Sequence, residues 1–114
     1  MSVFSAKDAR DQAVGQRAVF DEIAIIEPMI LDAVDSGAFE VTVGPGSSTP
    51  VATGMTVSAT HFNAYTDPAN YSSDTYTVAK TQMFRVIRYF TELGYTIRVA
   101  KHEDTSTFNW IVKW

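Results

Sequence analysis

The sequence of 114 residues contains no cysteine, so disulfide bonds and thiolate metal sites are both excluded. Its two histidines, His61 and His102, lie too far apart in the chain to resemble a zinc-binding pair. No apolar run approaches transmembrane length, and the N-terminus turns polar and charged after four residues, too early for a signal peptide. We therefore expect a soluble, intracellularly made protein with no metal, no cofactor and no membrane contact.

Charged residues are also scarce, at 19%, while the hydrophobic share of 46% and the aromatic share of 12% are ordinary. The length predicts a single domain over residues 1–114 with one modest core. Residues 1–37 carry three basic and seven acidic groups, whereas residues 73–114 carry six basic and four acidic groups. The basic groups of the last third fit either solvated helix and strand faces or a local anion-binding patch.

Sequence motifs of catalysis are missing, including G-x-S-x-G, G-x-G-x-x-G and G-x-x-x-x-G-K-S/T. The Gly44-Pro45-Gly46 stretch lacks the following helix and lysine that a phosphate site needs. Acidic residues that could pair for acid-base chemistry lie at expected turns or helix caps, where carboxylates make local hydrogen bonds. We expect no enzyme activity from these candidates, which are Asp67, Asp74, Glu103 and Asp104.

Amphipathic spacing predicts a long N-terminal helix that is capped by Ser5 and ends at Gly37. Asp21 and Glu22 are expected on its solvent face. Pro28 lies inside this helix and lacks the backbone N–H of the helical ladder, which predicts a kink or two shorter helices. The apolar face carries our candidate assembly contacts, namely Phe20, Ile23, Ile26 and Ile30.

The middle of the chain predicts a strand, a loop and a short helix. Apolar residues alternate with polar ones from Phe39 to Val43, which is typical of a half-buried strand. Residues 44–54, GPGSSTPVATG, predict a mobile loop that adds nothing to the core. Ser58 is placed to cap a helix from Ala59 to Tyr65 that ends at the Asp67-Pro68 turn, although the residues before Ser58 could instead extend a strand.

A second long amphipathic helix is predicted over residues 73–93, capped by Ser73 or Asp74 and ended by Gly94. Its apolar stripe runs from Ala79 to Leu93. Alternation over residues 95–114 predicts two antiparallel strands that form a C-terminal hairpin. The fold class is thus α+β, with a three-stranded antiparallel sheet and the order α-β-α-α-β-β. Aromatic residues of the hairpin are expected to face the helices, except Trp114, the best candidate for an outward contact.

The same element order is that of a winged helix, which gives an alternative function in DNA binding. Helix 73–93 would then enter the major groove, and the hairpin 95–114 would be the wing. The net charge of −4 and the acidic wing tip at Glu103 and Asp104 argue against this alternative. Its DNA-facing residues would be Lys80, Gln82, Arg85 and Arg88.

Two stretches, SAKDARDQAVGQRAVFDEI at residues 5–23 and MFRVIRYFTELGYTIRVAKHEDTSTFNWIVKW at residues 83–114, resemble a family of short proteins encoded by bacteriophages of cyanobacteria. In that family, a similar N-terminal helix leads into a V-T-V strand, here residues 41–43, and the chain closes on a T-F-x-W-x-x-x-W-like tail, here residues 107–114. The loop 44–54 and the segment around Asn70 depart from the family pattern.

The resemblance implies a phage origin and membership of the virion, with no catalytic residues to carry over. It leads us to expect a small structural protein of the capsid surface, neck, tail or fibre that binds other virion proteins. Homo-oligomeric contacts are expected because virions are symmetric assemblies. A module that binds a host protein is left open by the same residues.

Overall fold

The computed structural model describes residues 6–48, 50–66 and 74–114, with side chains described from residue 16 onward except at 74 and 75. The predicted caps at Ser5 and Ser73 and the predicted Asp67-Pro68 turn lie outside this description. Over the described residues, the elements confirm the predicted α+β class and order. They are α1 (Ala6–Asp35), β1 (Glu40–Val43), α2 (Ala59–Thr66), α3 (Asp74–Glu92), β2 (Thr96–His102) and β3 (Thr107–Lys113).

The three strands form one antiparallel sheet in the order β1-β3-β2, so the last strand lies in the centre. Val43 of β1 and Val99 of β2 both lie opposite Trp110 of β3. Because side chains alternate along a strand, every second residue of β3 faces the helices. These residues are fully buried, as the hairpin alternation predicted, and they are Phe108, Trp110 and Val112.

Helices α1 and α3 pack on each other and against the sheet, and α2 packs on α3. The apolar stripe of α3 is buried at Ala79, Met83, Val86 and Phe90. Met83, Val86 and Phe90 form a single hydrophobic cluster with the inward residues of β3. The core therefore lies between the helices and one face of the sheet.

Helix α1 runs for 30 residues and continues through Pro28. The alternative of two shorter helices is therefore wrong. At 1.5 Å per residue, a continuous helix of this length spans about 45 Å.

The predicted capping residues Ser58 and Gly94 lie at the start of α2 and at the end of α3. The Ser58 hydroxyl oxygen accepts a hydrogen bond from the backbone N–H of His61 at 3.3 Å, which caps α2. At the end of α3, Gly94 adopts a φ of 95°. Its N–H donates to the carbonyl of Thr91, and the Tyr95 N–H donates to that of Phe90, both at 3.0 Å. This is a Schellman motif, which requires the left-handed conformation that glycine adopts without strain.

Two apolar residues that were predicted to face inward are exposed instead. Phe39 is 75% exposed because β1 begins only at Glu40. Its carbonyl still accepts a hydrogen bond from the Trp114 N–H, so the backbone of Phe39 contacts the sheet while its side chain is exposed. Leu93 is 60% exposed because it follows the last residue of α3, where the chain turns at Gly94. Both exceptions lie at element ends, where side-chain periodicity no longer applies.

The prediction that residues 44–54 add nothing to the core is wrong, and so is the solvent position of Glu22. Glu22 and Thr53 are buried, with 2% and 3% of their surface exposed. The Thr53 hydroxyl and the Trp110 indole N–H both donate to Glu22 Oε2, the latter at 2.7 Å. The Met55 N–H donates to Glu22 Oε1 at 3.2 Å. One carboxylate thereby joins α1, the loop and β3.

Candidate assembly surface

Helix α1 carries two parallel rows of residues with the same spacing of three and four. The first row, which we call the inner seam, packs in the core. Its exposed fractions do not exceed 7%. The spacing is that of a helix seam against a partner layer, here α3 and the sheet. The inner seam consists of Val19, Ile23, Ile26 and Ile30.

The second row, which we call the outer seam, is offset from the inner seam and faces away from the core. Phe20, Leu31 and Val34 in this row are 62%, 65% and 48% exposed. The remaining members are also exposed. Consecutive members are again three or four positions apart, so they lie along one face of the helix. The outer seam consists of Arg17, Phe20, Ala24, Glu27, Leu31 and Val34.

Four members of the outer seam, from Phe20 to Leu31, form one wall of a shallow groove between α1 and α3. Tyr89 supplies the opposite wall of the first part of the groove, where Phe20, Ala24 and Pro28 lie on the α1 side. The second part shares Glu27 and Leu31 with the first and continues to Phe90, Leu93 and Tyr95. The groove is thus a mostly apolar depression along the exposed side of α1.

Glu27 is the one charged residue among those lining the groove. Its Oε1 accepts a 2.7 Å hydrogen bond from the Tyr89 hydroxyl. This hydrogen bond raises the pKa of Tyr89 above its ordinary value, and burial of the phenol and the charge of Glu27 act in the same direction. The contact fixes the carboxylate between α1 and α3 and leaves Oε2 available to a ligand.

Pro28 interrupts the helical hydrogen bonds of α1 beside Glu27. Proline has no N–H, so the carbonyl of Ala24, four residues earlier, does not receive its helical hydrogen bond. Ala24 and Pro28 both line the groove, and Glu27 lies between them in sequence. The Glu27 carboxylate thus lies in mostly apolar surroundings, an arrangement suited to a donor such as a guanidinium.

The predicted assembly residues separate into buried and accessible groups. Ile23, Ile26 and Ile30 are buried in the core of this chain, and Ile23 and Ile30 also line the groove. Phe20 remains accessible. Trp114 is partly buried against the core, with its ring edge-on to that of Tyr95 at 6.1 Å. Sequence reasoning missed Ala24, Glu27 and Leu31, although their spacing of three and four from Phe20 was a usable signal.

The four residues that would contact DNA in the alternative function lie on α3, but three of them contact other side chains of this chain. Gln82 Oε1 lies 2.8 Å from His61 Nε2, which ties α3 to α2. Arg88 pairs with Glu92 at 2.9 Å on the exposed surface. The Lys80 ammonium lies 5.7 Å from the centre of the Phe84 ring. Arg85 is exposed.

The histidines take part in local hydrogen bonds. His61 Nδ1 lies 2.8 Å from the Ser58 hydroxyl, in addition to its contact with Gln82. His102 Nε2 lies 2.7 Å from Asn109 Nδ2 at the end of the hairpin. In the described part of the chain, no three His, Asp or Glu side chains converge as a metal site would require. Within the same residues, no helix combines the length and apolar character needed to cross a bilayer.

Comparisons with protein-family models, with curated proteins and with solved structures found no significant match to this chain.

Proposed function

We propose that the chain is a small structural subunit of a virion that acts by binding other proteins through the outer seam of α1. The protein-binding part is carried by one observation: Phe20, Leu31 and Val34 are 48–65% exposed along a single helix face. Single exposed apolar residues are common, but a continuous apolar surface beside a groove is typical of an interaction site. The virion part is supported by the resemblance to proteins of cyanobacterial phages.

The proposal retains two of the predicted contact residues and replaces three. Phe20 lies in the middle of the accessible surface. Trp114 stays as a second contact through the part of its ring that Tyr95 does not cover. Leu31 and Ala24 take the place of the buried isoleucines of the inner seam. The partners are other virion proteins and further copies of the chain, which would be made in the host cytoplasm before assembly.

The test of the virion part is a mass-spectrometric count of this protein in purified particles of the phage that encodes it. Hundreds of copies per particle would place it on the capsid shell, because shells repeat a subunit many times. A few dozen copies or fewer would place it at the neck, tail or fibres. Its absence from purified particles would refute virion membership.

The contact surface is tested with the double variant Phe20→Ser/Leu31→Ser, incorporated in place of the wild-type chain during particle assembly. We expect incorporation to fall sharply because two exposed apolar side chains are lost from the contact. The matched control is Phe84→Ser, since Phe84 is a phenylalanine exposed to 51% on α3, outside the groove. Equal incorporation of the double variant and the control would rule out the outer seam.

DNA binding is a second candidate, favoured by the winged-helix element order and by two exposed arginines on α3. Arg85 and Arg88 are three residues apart and so share a helix face. Binding to duplex DNA should weaken steeply with salt, and Arg85→Ala/Arg88→Ala should lower the salt slope by about 2. The control is Arg17→Ala, an exposed arginine on α1, outside the helix and the hairpin that would contact DNA. Binding that ignores salt and both α3 substitutions would exclude this candidate.

A further inference from the structure

We infer that the first partner of the outer seam is a second copy of this chain, bound antiparallel so that Phe20 packs over Ala24 and Arg17 pairs with Glu27 across the interface. This inference rests on the proposed function only in assuming that the outer seam binds protein. It goes further by naming the partner, its direction and its register.

The spacing of the outer seam is that of the a and d positions of a coiled coil. In an antiparallel pair of such helices, an a residue of one copy faces a d residue of the other. Arg17 and Ala24 then occupy a positions, and Phe20 and Glu27 occupy d positions. Along an antiparallel pair of helices, the residue number rises in one copy as it falls in the other, so the numbers of facing residues keep the same sum. Pairing Arg17 with Glu27 therefore also pairs Ala24 with Phe20. A twofold axis repeats each pair, as expected for a self-complementary interface.

Both pairs are complementary in their chemistry. The large Phe20 ring lies over the small Ala24 side chain, which leaves room for it between the helices. The Arg17 guanidinium meets the Glu27 carboxylate, a pairing of opposite charges that can form two hydrogen bonds. Tyr89 already holds Glu27 Oε1 in place, so the carboxylate is positioned before binding.

Other arrangements of two α1 helices do not place Arg17 opposite Glu27. A parallel pair would set Glu27 against Glu27 and Arg17 against Arg17, which places like charges together. An antiparallel pair shifted by one heptad would set Phe20 against Leu31, but it would also set Glu27 against Ala24, so the Glu27 carboxylate would lose water without gaining a charged partner. Charge pairing thus selects the antiparallel register centred between Phe20 and Ala24.

The test uses charge reversal, read out by light scattering and sedimentation of the purified chain. The wild type is expected to dimerise, and Arg17→Glu or Glu27→Arg alone should raise the dimer Kd by more than about tenfold. Within one copy these residues are ten positions and about 15 Å apart, so they cannot pair with each other. A mixture of the two single variants should form a heterodimer, because both of its charge pairs are then opposite in sign. The double variant Arg17→Glu/Glu27→Arg should restore the homodimer.

Two further variants test the role of Tyr89 and the relative direction of the two helices. Tyr89→Phe removes the hydrogen bond that positions Glu27 without changing charge, so it should weaken the dimer by less than either charge reversal does. Since the chain has no cysteine, Val34→Cys introduces a single thiol. In the antiparallel register the two thiols lie about 36 Å apart along the helices and stay uncrosslinked under oxidation. In a parallel pair they would meet and crosslink.

The inference is overturned by a wild-type chain that remains monomeric up to about 0.1 mM, by charge reversals that leave the dimer intact, or by Val34→Cys crosslinking. These results are distinguishable from failure of the proposed function. A monomeric chain that still enters particles through the outer seam would refute self-pairing alone. A chain that dimerises as described but is absent from particles would refute virion membership alone.

Discussion

The Trp110 indole N–H donates a 2.7 Å hydrogen bond to Oε2 of Glu22, which lies 88 residues away in sequence. Both residues are buried, and the same carboxylate also accepts from Thr53 and Met55. A buried carboxylate is tolerated when its oxygens are saturated with donors. Glu22 is therefore a polar centre of the core that connects the long helix to the loop and to the central strand.

The first prediction concerns this centre. Glu22→Ala should lower the free energy of unfolding by about 3–5 kcal/mol, because three donors lose their acceptor inside the protein. Trp110→Phe should cost about 1.5–3 kcal/mol, since it removes one hydrogen bond to a charged group. Urea denaturation followed by circular dichroism measures both values.

The matched control is Asp21→Ala, which removes the same charge at the neighbouring, exposed position. It should change the free energy of unfolding by no more than about 0.5 kcal/mol. If Asp21→Ala and Glu22→Ala destabilise the protein equally, the carboxylate of Glu22 is not the polar centre described here.

The second prediction concerns the close approach of the loop to β3 at Gly44. A Cβ at Gly44 would lie 2.8 Å from the carbonyl oxygen of Phe108 and closer still to the Asn109 side chain, and the φ of Gly44 is 152°. Gly44→Ala should therefore destabilise the fold by about 2–4 kcal/mol through overpacking and backbone strain. Thermal and urea denaturation would measure the loss.

Gly54 provides the control in the same loop, because a Cβ there would meet no atom within 4 Å. Gly54→Ala should be neutral or stabilise the protein by up to about 1 kcal/mol, as the unfolded chain loses conformational freedom. A loop that moves freely away from β3 would instead tolerate both substitutions alike.

The third prediction concerns the titration of Tyr89. Its pKa is raised by the hydrogen bond to Glu27, so Glu27→Gln should bring it back toward the ordinary value of 10.0. The difference between the ultraviolet pH titrations of the wild type and Tyr89→Phe isolates this phenol from the other tyrosines. Glu92→Gln serves as the control, because Glu92 pairs with Arg88 on the exposed surface.

The sign of the linked effect on stability follows from the direction of the shift. A pKa raised in the folded state means that the protonated phenol stabilises the fold. This contribution is complete below a pH of about 10 and is lost as the pH rises through the raised pKa. Glu27→Gln should weaken this alkaline dependence, and an unchanged alkaline profile would show that the Glu27–Tyr89 contact is absent in solution.

The fourth prediction concerns Trp114 at the end of the chain. Its ring packs edge-on to Tyr95, and its N–H donates to the Phe39 carbonyl. Trp114→Ala retains the backbone hydrogen bond but loses the ring packing, so the free energy of unfolding should fall by about 1–2 kcal/mol. Trp114→Phe should recover most of this loss by keeping a ring beside Tyr95. A stability of Trp114→Ala equal to that of the wild type would mean that the ring serves only an outward contact.

Much of the fold was predictable because it depends on local periodicity. Alternation in the C-terminal stretch predicted the hairpin and the burial of Phe108, Trp110 and Val112. Spacings of three and four predicted α1 and α3, and the capping residues Ser58 and Gly94 marked helix ends correctly. These patterns act over a few residues, so they are visible in the sequence.

The candidate surface was only partly predictable. Periodicity placed Phe20 with Ile23, Ile26 and Ile30 on one broad apolar face, but it could not say which part of that face the sheet and α3 would cover. Glu22 is three residues after Val19 and four before Ile26, which was a signal that it shares the buried face. No residue near Glu22 in the chain indicates the donors that make this burial possible, because they lie in and just after the loop and in β3.

The sequence by itself determined which segments form helices and strands, which residues alternate or recur at helical spacing, and that no thiol chemistry is possible. Tertiary structure alone decided that the inner seam is covered while the outer seam is not, that Glu22 receives three donors, and that Glu27 meets Tyr89. The physical reason is the distance along the chain over which each property acts. Capping and periodicity are properties of adjacent residues, whereas burial and hydrogen-bond pairing depend on which distant segments pack together.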